Sequence, residues 1–191
     1  MTRHPLTFAM LAFLSACSGG EDERRPPWAD GRDVVTKGPA ARQQDLSNLA
    51  GRIVALHNRE RAQVGAPPLA WDPGLAAAAA AYGPALAARG RLAHSPVESR
   101  AGQGENLWMG TAGAFPVEEM VGGWAAEKSV FVPGTVPNVS RSGHFGDVGH
   151  YAQMIWRTTN RVGCALYRGR AADFLICRYS PAGNVVGEHV P

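Results

Sequence analysis

The chain has 191 residues, with 19 lysines and arginines against 16 acidic residues, so its formal net charge is +3. That charge is too small for a nucleic-acid-binding surface unless the basic residues are concentrated on one face, so we expect no nucleic-acid partner. No apolar stretch of the sequence reaches the roughly 20 residues that a membrane-spanning helix needs. The three cysteines are too few for a disulfide-rich scaffold, and their odd number indicates more than one role. The length predicts one folded domain plus additional chain.

The N-terminus has the pattern of an export signal. Arg3 precedes an apolar run over 6–14, which suits a signal-peptide core and is too short to span a bilayer. The sequence Leu-Ser-Ala-Cys that ends at Cys17 resembles the lipobox of bacterial lipoproteins, in which the cysteine is lipidated and becomes the first mature residue. We therefore predict a lipoprotein signal peptide over 1–16 and a lipid anchor at Cys17. The alternative is an ordinary signal peptide, which would leave Cys17 as a free thiol.

The segment 17–44 is polar, mixed in charge and interrupted by proline and glycine. It has too little apolar surface to offset the entropy of folding, so we predict a lipidated flexible tether. The folded domain then covers 45–191. Such a protein is exported to the cell envelope, where the membrane is its partner through the anchor. Ser18 lacks the acidic character that tends to retain lipoproteins on the inner membrane, which favours the outer membrane or the cell surface.

Helical spacing predicts two helices in the first half of the domain. The first has an apolar stripe made of Leu46, Leu49, Ile53 and Leu56. Gly65 is a suitable stop for it. Asp72 and Pro73 suit the N-cap and the first position of a second helix, which Gly90 ends. Pro84 lies inside this second helix and is expected to kink it.

Two shorter helices and a hairpin complete the domain. Pro116 opens a third helix, and a fourth is predicted over 148–155. Alternating apolar residues over 162–166 and 174–179 predict two strands joined by a turn. In an antiparallel pair centred on that turn, Cys164 and Cys177 lie opposite each other, within bonding reach. Since export permits disulfides, we predict a Cys164–Cys177 bond; the alternative is two buried free thiols.

Four short segments stand in a fixed order along the domain. They read HNRER over 57–61, GENL over 104–107, GHYAQMIW over 149–156 and CRYSPAGN over 177–184. Together they resemble the HNxxR, GEN, GHYTQxxW and CxYxPxGN motifs of the CAP superfamily, which includes cysteine-rich secretory proteins, insect venom antigens and plant pathogenesis-related proteins. Ala152 departs from the threonine usual in that family. The family's disulfide across the final hairpin falls on Cys164 and Cys177, in agreement with the register.

The resemblance implies an α+β fold, a three-layer α-β-α sandwich with helices on both faces of a small, mainly antiparallel sheet. It also implies a central cleft that contains two histidines and two glutamates. Matched motif by motif, the histidines are His94 and His150 and the glutamates are Glu105 and Glu127. His57 is expected to be a packed histidine rather than a ligand.

Two imidazoles and two carboxylates in one cleft suit three different roles. They can hold Zn²⁺ or another divalent cation weakly, with a position left open to water. Alternatively, the His–Glu pairs can exchange protons as catalytic groups. In a metal-dependent, peptidase-like hydrolase, a bound ion would activate water, with Glu105 or Glu127 as the base. They can also form a hydrogen-bonded network that only joins the surrounding elements. His144 is expected at the surface, and Ser95 is not expected to be a nucleophile because it is the direct chain neighbour of His94.

The favoured function is a membrane-anchored extracytoplasmic CAP-domain protein that acts as a binding module without catalytic activity. Its ligand would be a lipid, a sterol-like molecule or an envelope protein. One alternative is the metal-dependent hydrolase that uses the same cleft. Another is a structural protein of the envelope whose cleft is vestigial.

Overall fold

The computed structural model describes residues 47–191 together with the two-residue strand Val34–Val35. The α-helices of this part of the chain are α1 Leu49–Gln63, α2 Pro73–Arg89, α3 Val117–Ala126 and α4 Gly149–Ile155. Its strands are β1 Val34–Val35, β2 Ala70–Trp71, β3 Gly104–Thr111, β4 Gly134–Thr135, β5 Arg161–Arg168, β6 Ala172–Ser180 and β7 His189–Val190. Among the helices described, none has the length and apolar character needed to cross a bilayer.

The main sheet has five strands in the order β1-β3-β6-β5-β2. Its three long strands pair antiparallel, whereas the two short edge strands pair parallel with their neighbours. In the β5–β6 hairpin, Cys164 lies directly opposite Cys177, and their sulfur atoms are bonded at 2.01 Å. The predicted register and the predicted disulfide are therefore both confirmed. Strands β4 and β7 form a separate antiparallel pair.

Helices cover both faces of the sheet. Strand alternation turns Leu107, Phe174 and Ile176 toward α2, where they form a small apolar core with Ala79 and Leu86. The opposite face packs against α1, α3 and α4 in a larger core. Its central members include Ile53, Trp108, Met120, Trp124, Met154, Leu175 and Tyr179. The predicted α+β, three-layer α-β-α sandwich is confirmed.

The ends of α2 follow from its sequence. The carboxylate of Asp72 accepts the backbone N–H groups of Gly74 at 2.8 Å and Leu75 at 3.0 Å, which satisfies two donors that a helix start leaves unpaired. Pro73 takes the first helical position, where its missing N–H costs nothing. Gly90 ends the helix with a φ of 62°, a left-handed conformation that glycine adopts without strain.

Pro84 lies inside α2 and does not end it. A proline inside a helix leaves the carbonyl four residues earlier, here that of Ala80, without its usual donor. Both Pro84 and Ala80 lie on the exposed side of α2, where water can satisfy that carbonyl. The helix therefore continues to Arg89.

Two residues of the predicted flexible tether, 17–44, form a strand in the structure. Val34–Val35 forms strand β1, which pairs with Met109 and Gly110 at the edge of the sheet. The sheet thus includes chain that lies before the predicted domain boundary at residue 45. The predicted signal peptide and its lipidation site, Cys17, lie outside the described residues.

Candidate functional site

The first half of the site is a hydrogen-bonded pair of His94 and Glu105. Glu105 is the second residue of β3, and its carboxylate is completely buried. The Nδ1–H of His94 donates to Oε1 at 2.7 Å, and the backbone N–H of Ser95 donates to the same oxygen at 3.0 Å. The hydroxyl of Ser95 donates to Oε2 at 3.1 Å. Arg178, the residue directly opposite on β6, places its guanidinium 3.1 Å from Oε2.

These contacts keep Glu105 ionised. Burial by itself raises the pKa of a carboxyl group, but the hydrogen bond and charge of His94, the charge of Arg178 and the backbone N–H of Ser95 outweigh it. The net result is a pKa of Glu105 below its usual value. An ionised Glu105 only accepts hydrogen bonds, so the proton between the two side chains resides on Nδ1 of His94. Nε2 is then the ring nitrogen of His94 with a lone pair when the ring is neutral.

The second half of the site repeats this arrangement with His150 and Glu127. Glu127 follows the last residue of α3, and His150 is the second residue of α4. The Nδ1–H of His150 donates to Oε1 of Glu127 at 2.6 Å, and the backbone N–H of Tyr151 donates to Oε2 at 2.9 Å. The indole of Trp124 stacks on the imidazole of His150, with ring centroids 5.8 Å apart and an interplanar angle of 17°. The imidazole is therefore fixed both at its edge and at its face.

Asn106 joins the two pairs. Its side-chain amide donates to the backbone carbonyl of His150 at 3.1 Å and to the hydroxyl of Tyr179 at 3.2 Å. Because Asn106 follows Glu105 in β3, consecutive residues of one strand hold the side chain of His94 and the backbone of His150. The GEN segment thus positions both histidines.

His57 has a structural role, as expected. It is fully buried; its Nδ1–H donates to the carbonyl of Ile53 at 2.8 Å, and its Nε2 accepts from the hydroxyl of Tyr179 at 2.8 Å. Burial lowers the pKa of His57 to about 4, so the ring is neutral near pH 7. A series of hydrogen bonds connects α1 to the strand that bears Glu105. It runs from Ile53 through His57 and Tyr179 to Asn106.

Arg61, the last residue of the HNRER segment, joins two parts of the chain. Its guanidinium is buried and donates to four backbone carbonyls, those of Pro67, Met154, Trp156 and Thr159. These acceptors lie in the loop after α1 and around the end of α4, so Arg61 fixes α4 against α1. Burial lowers its pKa to about 10, which still leaves it charged at neutral pH.

The donors of residues 47–191 do not form a closed metal site. Structural zinc sites use four protein ligands, whereas open sites use fewer and retain water. Within 47–191, no group of three or more His, Cys, Asp or Glu side chains is placed to hold a metal ion. The structure brings the four predicted residues together as two His–Glu pairs, in which each carboxylate contacts Nδ1 of its histidine. In carboxylate–histidine–metal sites the carboxylate orients the histidine through one ring nitrogen in this way.

The sequence did not assign roles to two residues of the site. Arg178 occupies an open position of the CxYxPxGN motif, and its contact with Glu105 depends on the register between β3 and β6. Ser95 was considered only as a nucleophile, whereas it is a hydrogen-bond donor to Glu105. His144 lies exposed at the surface, as expected.

A comparison with protein families agrees with these motifs and this geometry. The model of the cysteine-rich secretory protein family, CAP, matches residues 54–179. The chain belongs to the CAP family. The matched region contains both His–Glu pairs, both hairpin cysteines and the whole of β3 and β5.

Plant pathogenesis-related proteins are among the similar CAP proteins. Pathogenesis-related protein 1B of Nicotiana tabacum is 38% identical over 134 residues, which are 69% of this chain and 74% of that protein. Pathogenesis-related protein 1 of Arabidopsis thaliana is 35% identical over 147 residues, which are 76% of this chain and 80% of that protein.

Solved CAP structures share the fold. The crystal structure of NaASP2 with Zn²⁺ matches with a TM-score of 0.64 at 23% identity, over 79% of this chain and 89% of that chain. The crystal structure of Na-ASP-1 matches with a TM-score of 0.58 at 25% identity, over 81% of this chain and 46% of that chain. These likenesses support the α-β-α sandwich described above.

Proposed function

We propose that this CAP protein is exported and membrane-anchored, and that it acts as a binding module without catalytic activity for a lipid-like or envelope-protein ligand. We further propose that its His/Glu site, made of His94, Glu105, Glu127 and His150, takes up a divalent cation. Family membership supports the binding module. The Cys164–Cys177 disulfide supports export, because such bonds persist in oxidising compartments. The lipobox-like sequence before Cys17 supports the anchor.

The observation that carries the cation proposal is that both histidines meet a carboxylate through Nδ1. In carboxylate–histidine–metal arrangements the carboxylate accepts the proton of one ring nitrogen, and the metal binds the other nitrogen. The carboxylate fixes the tautomer and makes the ligating nitrogen more basic. His94 and His150 would therefore bind the cation through Nε2, and Glu105 and Glu127 would orient them. Imidazole suits Zn²⁺, and the fold neighbour NaASP2 was crystallised with Zn²⁺, so zinc is the ion to test first.

Calorimetry with Zn²⁺ tests the cation site. Wild-type protein is expected to give a saturable heat, whereas the double variant His94→Ala/His150→Ala gives none. The matched control is His144→Ala/His189→Ala, which removes two exposed histidines outside the site and should bind like wild type. Equal heats for wild type and the His94→Ala/His150→Ala variant would refute the site.

The anchor has a separate test. Cells that produce the full chain and are fed a radioactive fatty acid should label it, and the Cys17→Ser variant should lose both the label and its sedimentation with membranes. Retained label in that variant would refute lipidation at Cys17.

A further inference from the structure

Tyr82 contacts the supports of both members of the His94–Glu105 pair. Its hydroxyl donates to the backbone carbonyl of Ala93 at 2.8 Å, and Ala93 directly precedes His94. The guanidinium of Arg178, which contacts Glu105, lies over the ring of Tyr82, with 5.9 Å between its central carbon and the ring centroid. One side chain of α2 therefore meets the backbone beside the histidine and the cation beside the glutamate.

The hydroxyl of Tyr82 holds a part of the chain that belongs to no regular element. His94 lies in the segment 92–96, which is neither helix nor strand, so helix or strand hydrogen bonds do not set its position. Arg89, the last residue of α2, donates to the hydroxyl oxygen of Tyr82 at 2.6 Å. A hydroxyl that accepts from a cation becomes a stronger donor, because hydrogen bonds in series polarise one another. The series from Arg89 through Tyr82 to Ala93 thus ties the end of α2 to the residue before His94.

The ring of Tyr82 supports the cation that faces Glu105. Arg178 is buried, and its Nη2 lies 3.1 Å from Oε2 of Glu105. Its Nε and Nη1 have no hydrogen-bond partner among the residues that the structure describes. The face of an aromatic ring attracts a cation within about 6 Å of its centroid, so the ring of Tyr82 is a further partner of this guanidinium. The ring thereby limits the positions from which Arg178 can reach Glu105.

The pair of His150 and Glu127 has other supports. Tyr82 packs against the small core that α2 covers. His150 is in α4 and Glu127 follows α3, and these two helices pack on the opposite face of the sheet. The backbone N–H of Tyr151 and the indole of Trp124 hold that pair. The second pair therefore serves as an internal reference for a change at Tyr82.

We propose that Tyr82 is a positioning residue of the cation site. Its hydroxyl fixes the backbone beside His94, and its ring fixes Arg178 against Glu105, so that Nε2 of His94 is held in the orientation that ligates. Outer partners of this kind set the affinity of a metal site by orienting its ligands. The proposal rests on the cation site proposed above and names α2 as the element that orients one of its two histidines.

Tyr82→Phe removes the hydroxyl, keeps the ring and is therefore expected to fold. Long-range ¹H–¹⁵N spectra of metal-free, histidine-labelled full chain report the Nδ1 proton of each site histidine. In the variant, the proton of His94 should exchange with water faster by roughly threefold to tenfold, as expected for one lost hydrogen bond. The proton of His150 should exchange as in wild type. Unchanged exchange at His94, or an equal change at both histidines, overturns the proposal.

Calorimetry with Zn²⁺ measures the consequence for binding. Tyr82→Phe should weaken Zn²⁺ binding by roughly threefold to tenfold, less than the 10–100-fold typical of losing a direct partner of a ligand. The matched control is Tyr167→Phe, which removes a hydroxyl from the same face of the sheet and should bind like wild type. Unchanged affinity in Tyr82→Phe, or an equal loss in Tyr167→Phe, overturns the proposal.

Failure of the cation site itself is distinguishable from failure of this proposal. Wild-type protein that takes up no Zn²⁺ would refute the cation site. The exchange of the His94 proton, measured without metal, then still decides whether Tyr82 positions His94.

Two further variants separate the hydroxyl series from the ring. Arg89→Ala should weaken Zn²⁺ binding in wild type but have no further effect in Tyr82→Phe, because its partner atom is already absent there. Arg91→Ala removes the same charge from a nearby exposed position and should bind like wild type. An equal effect of both arginine variants would indicate net charge alone and overturn the hydroxyl series.

Tyr82→Leu removes the ring as well as the hydroxyl. It should bind Zn²⁺ more weakly than Tyr82→Phe, because Arg178 then loses its aromatic partner. An unchanged His150 signal shows that this variant is folded. Equal Zn²⁺ affinity of folded Tyr82→Leu and Tyr82→Phe would overturn the role of the ring.

Discussion

At the scale of single residues, the surroundings of each motif histidine decide its role. His57 has no carboxylate among its hydrogen-bond partners, and burial lowers its pKa to about 4, so it serves as a neutral hydrogen-bonding group. His94 and His150 each contact a glutamate through Nδ1 and keep partial exposure of the side chain, 28% and 12%. A carboxylate that accepts from one ring nitrogen is a common partner of a metal-ligating histidine.

His57 should make the stability of the protein depend on pH. Because its pKa is about 4 in the folded state and 6.5 when unperturbed, the unfolded chain binds a proton between these values that the folded chain does not. Its contribution is complete above pH 6.5 and falls as the pH drops toward 4. From pH 7 to pH 5, this group alone should cost about 2 kcal/mol of unfolding free energy.

Urea unfolding at the two pH values measures this effect. The His57→Gln variant cannot titrate there, so its loss of stability between pH 7 and pH 5 should be smaller than that of wild type by about 2 kcal/mol. Other titrating groups contribute to both proteins and cancel in the comparison. The same loss in both proteins would show that His57 is not held neutral.

At the scale of elements, the sequence predicted correctly those features that depend on residues close together in the chain. Asp72, Pro73 and Gly90 mark the ends of α2 because capping depends on residues only a few positions apart. The hairpin register followed from the short turn between β5 and β6, and it placed Cys164 opposite Cys177. Gly83 was missed as a buried position of α2, because a glycine carries no apolar signal.

Gly83 should be necessary for the close approach of α2 to β5. A Cβ at this position would overlap the Cβ and Cγ atoms of Tyr167, which lie too near the backbone of β5 to swing aside. Gly83→Ala should therefore destabilise the protein by about 1–3 kcal/mol, despite the better helix propensity of alanine. The control is Gly123→Ala in α3, which is exposed with no atom within 4 Å of the new Cβ and should stabilise by about 0.5–1 kcal/mol. Urea unfolding compares the two, and a neutral or stabilising Gly83→Ala would contradict this packing.

At the scale of the whole molecule, the motifs named two histidines and two glutamates as site residues, but they did not specify how these residues contact each other. His94 and Glu105 are 11 residues apart in the sequence. His150 and Glu127 are 23 residues apart. The contact between Arg178 and Glu105 needs the register of β3 against β6, across more than 70 residues of chain, and no local pattern specifies that register. The edge strand Val34–Val35 pairs with β3 over a similar separation, which is why it was assigned to the tether.

The central claim is that the glutamates hold Nδ1 of both histidines and that a divalent cation binds Nε2. Long-range ¹H–¹⁵N spectra of histidine-labelled protein during a Zn²⁺ titration test it most directly. We expect the Nε2 signals of His94 and His150 to move together and saturate, while both Nδ1 nitrogens stay protonated and the signals of His57 and His144 stay unchanged. Loss of the proton from Nδ1 of either histidine, or a response confined to other histidines, would contradict the claim.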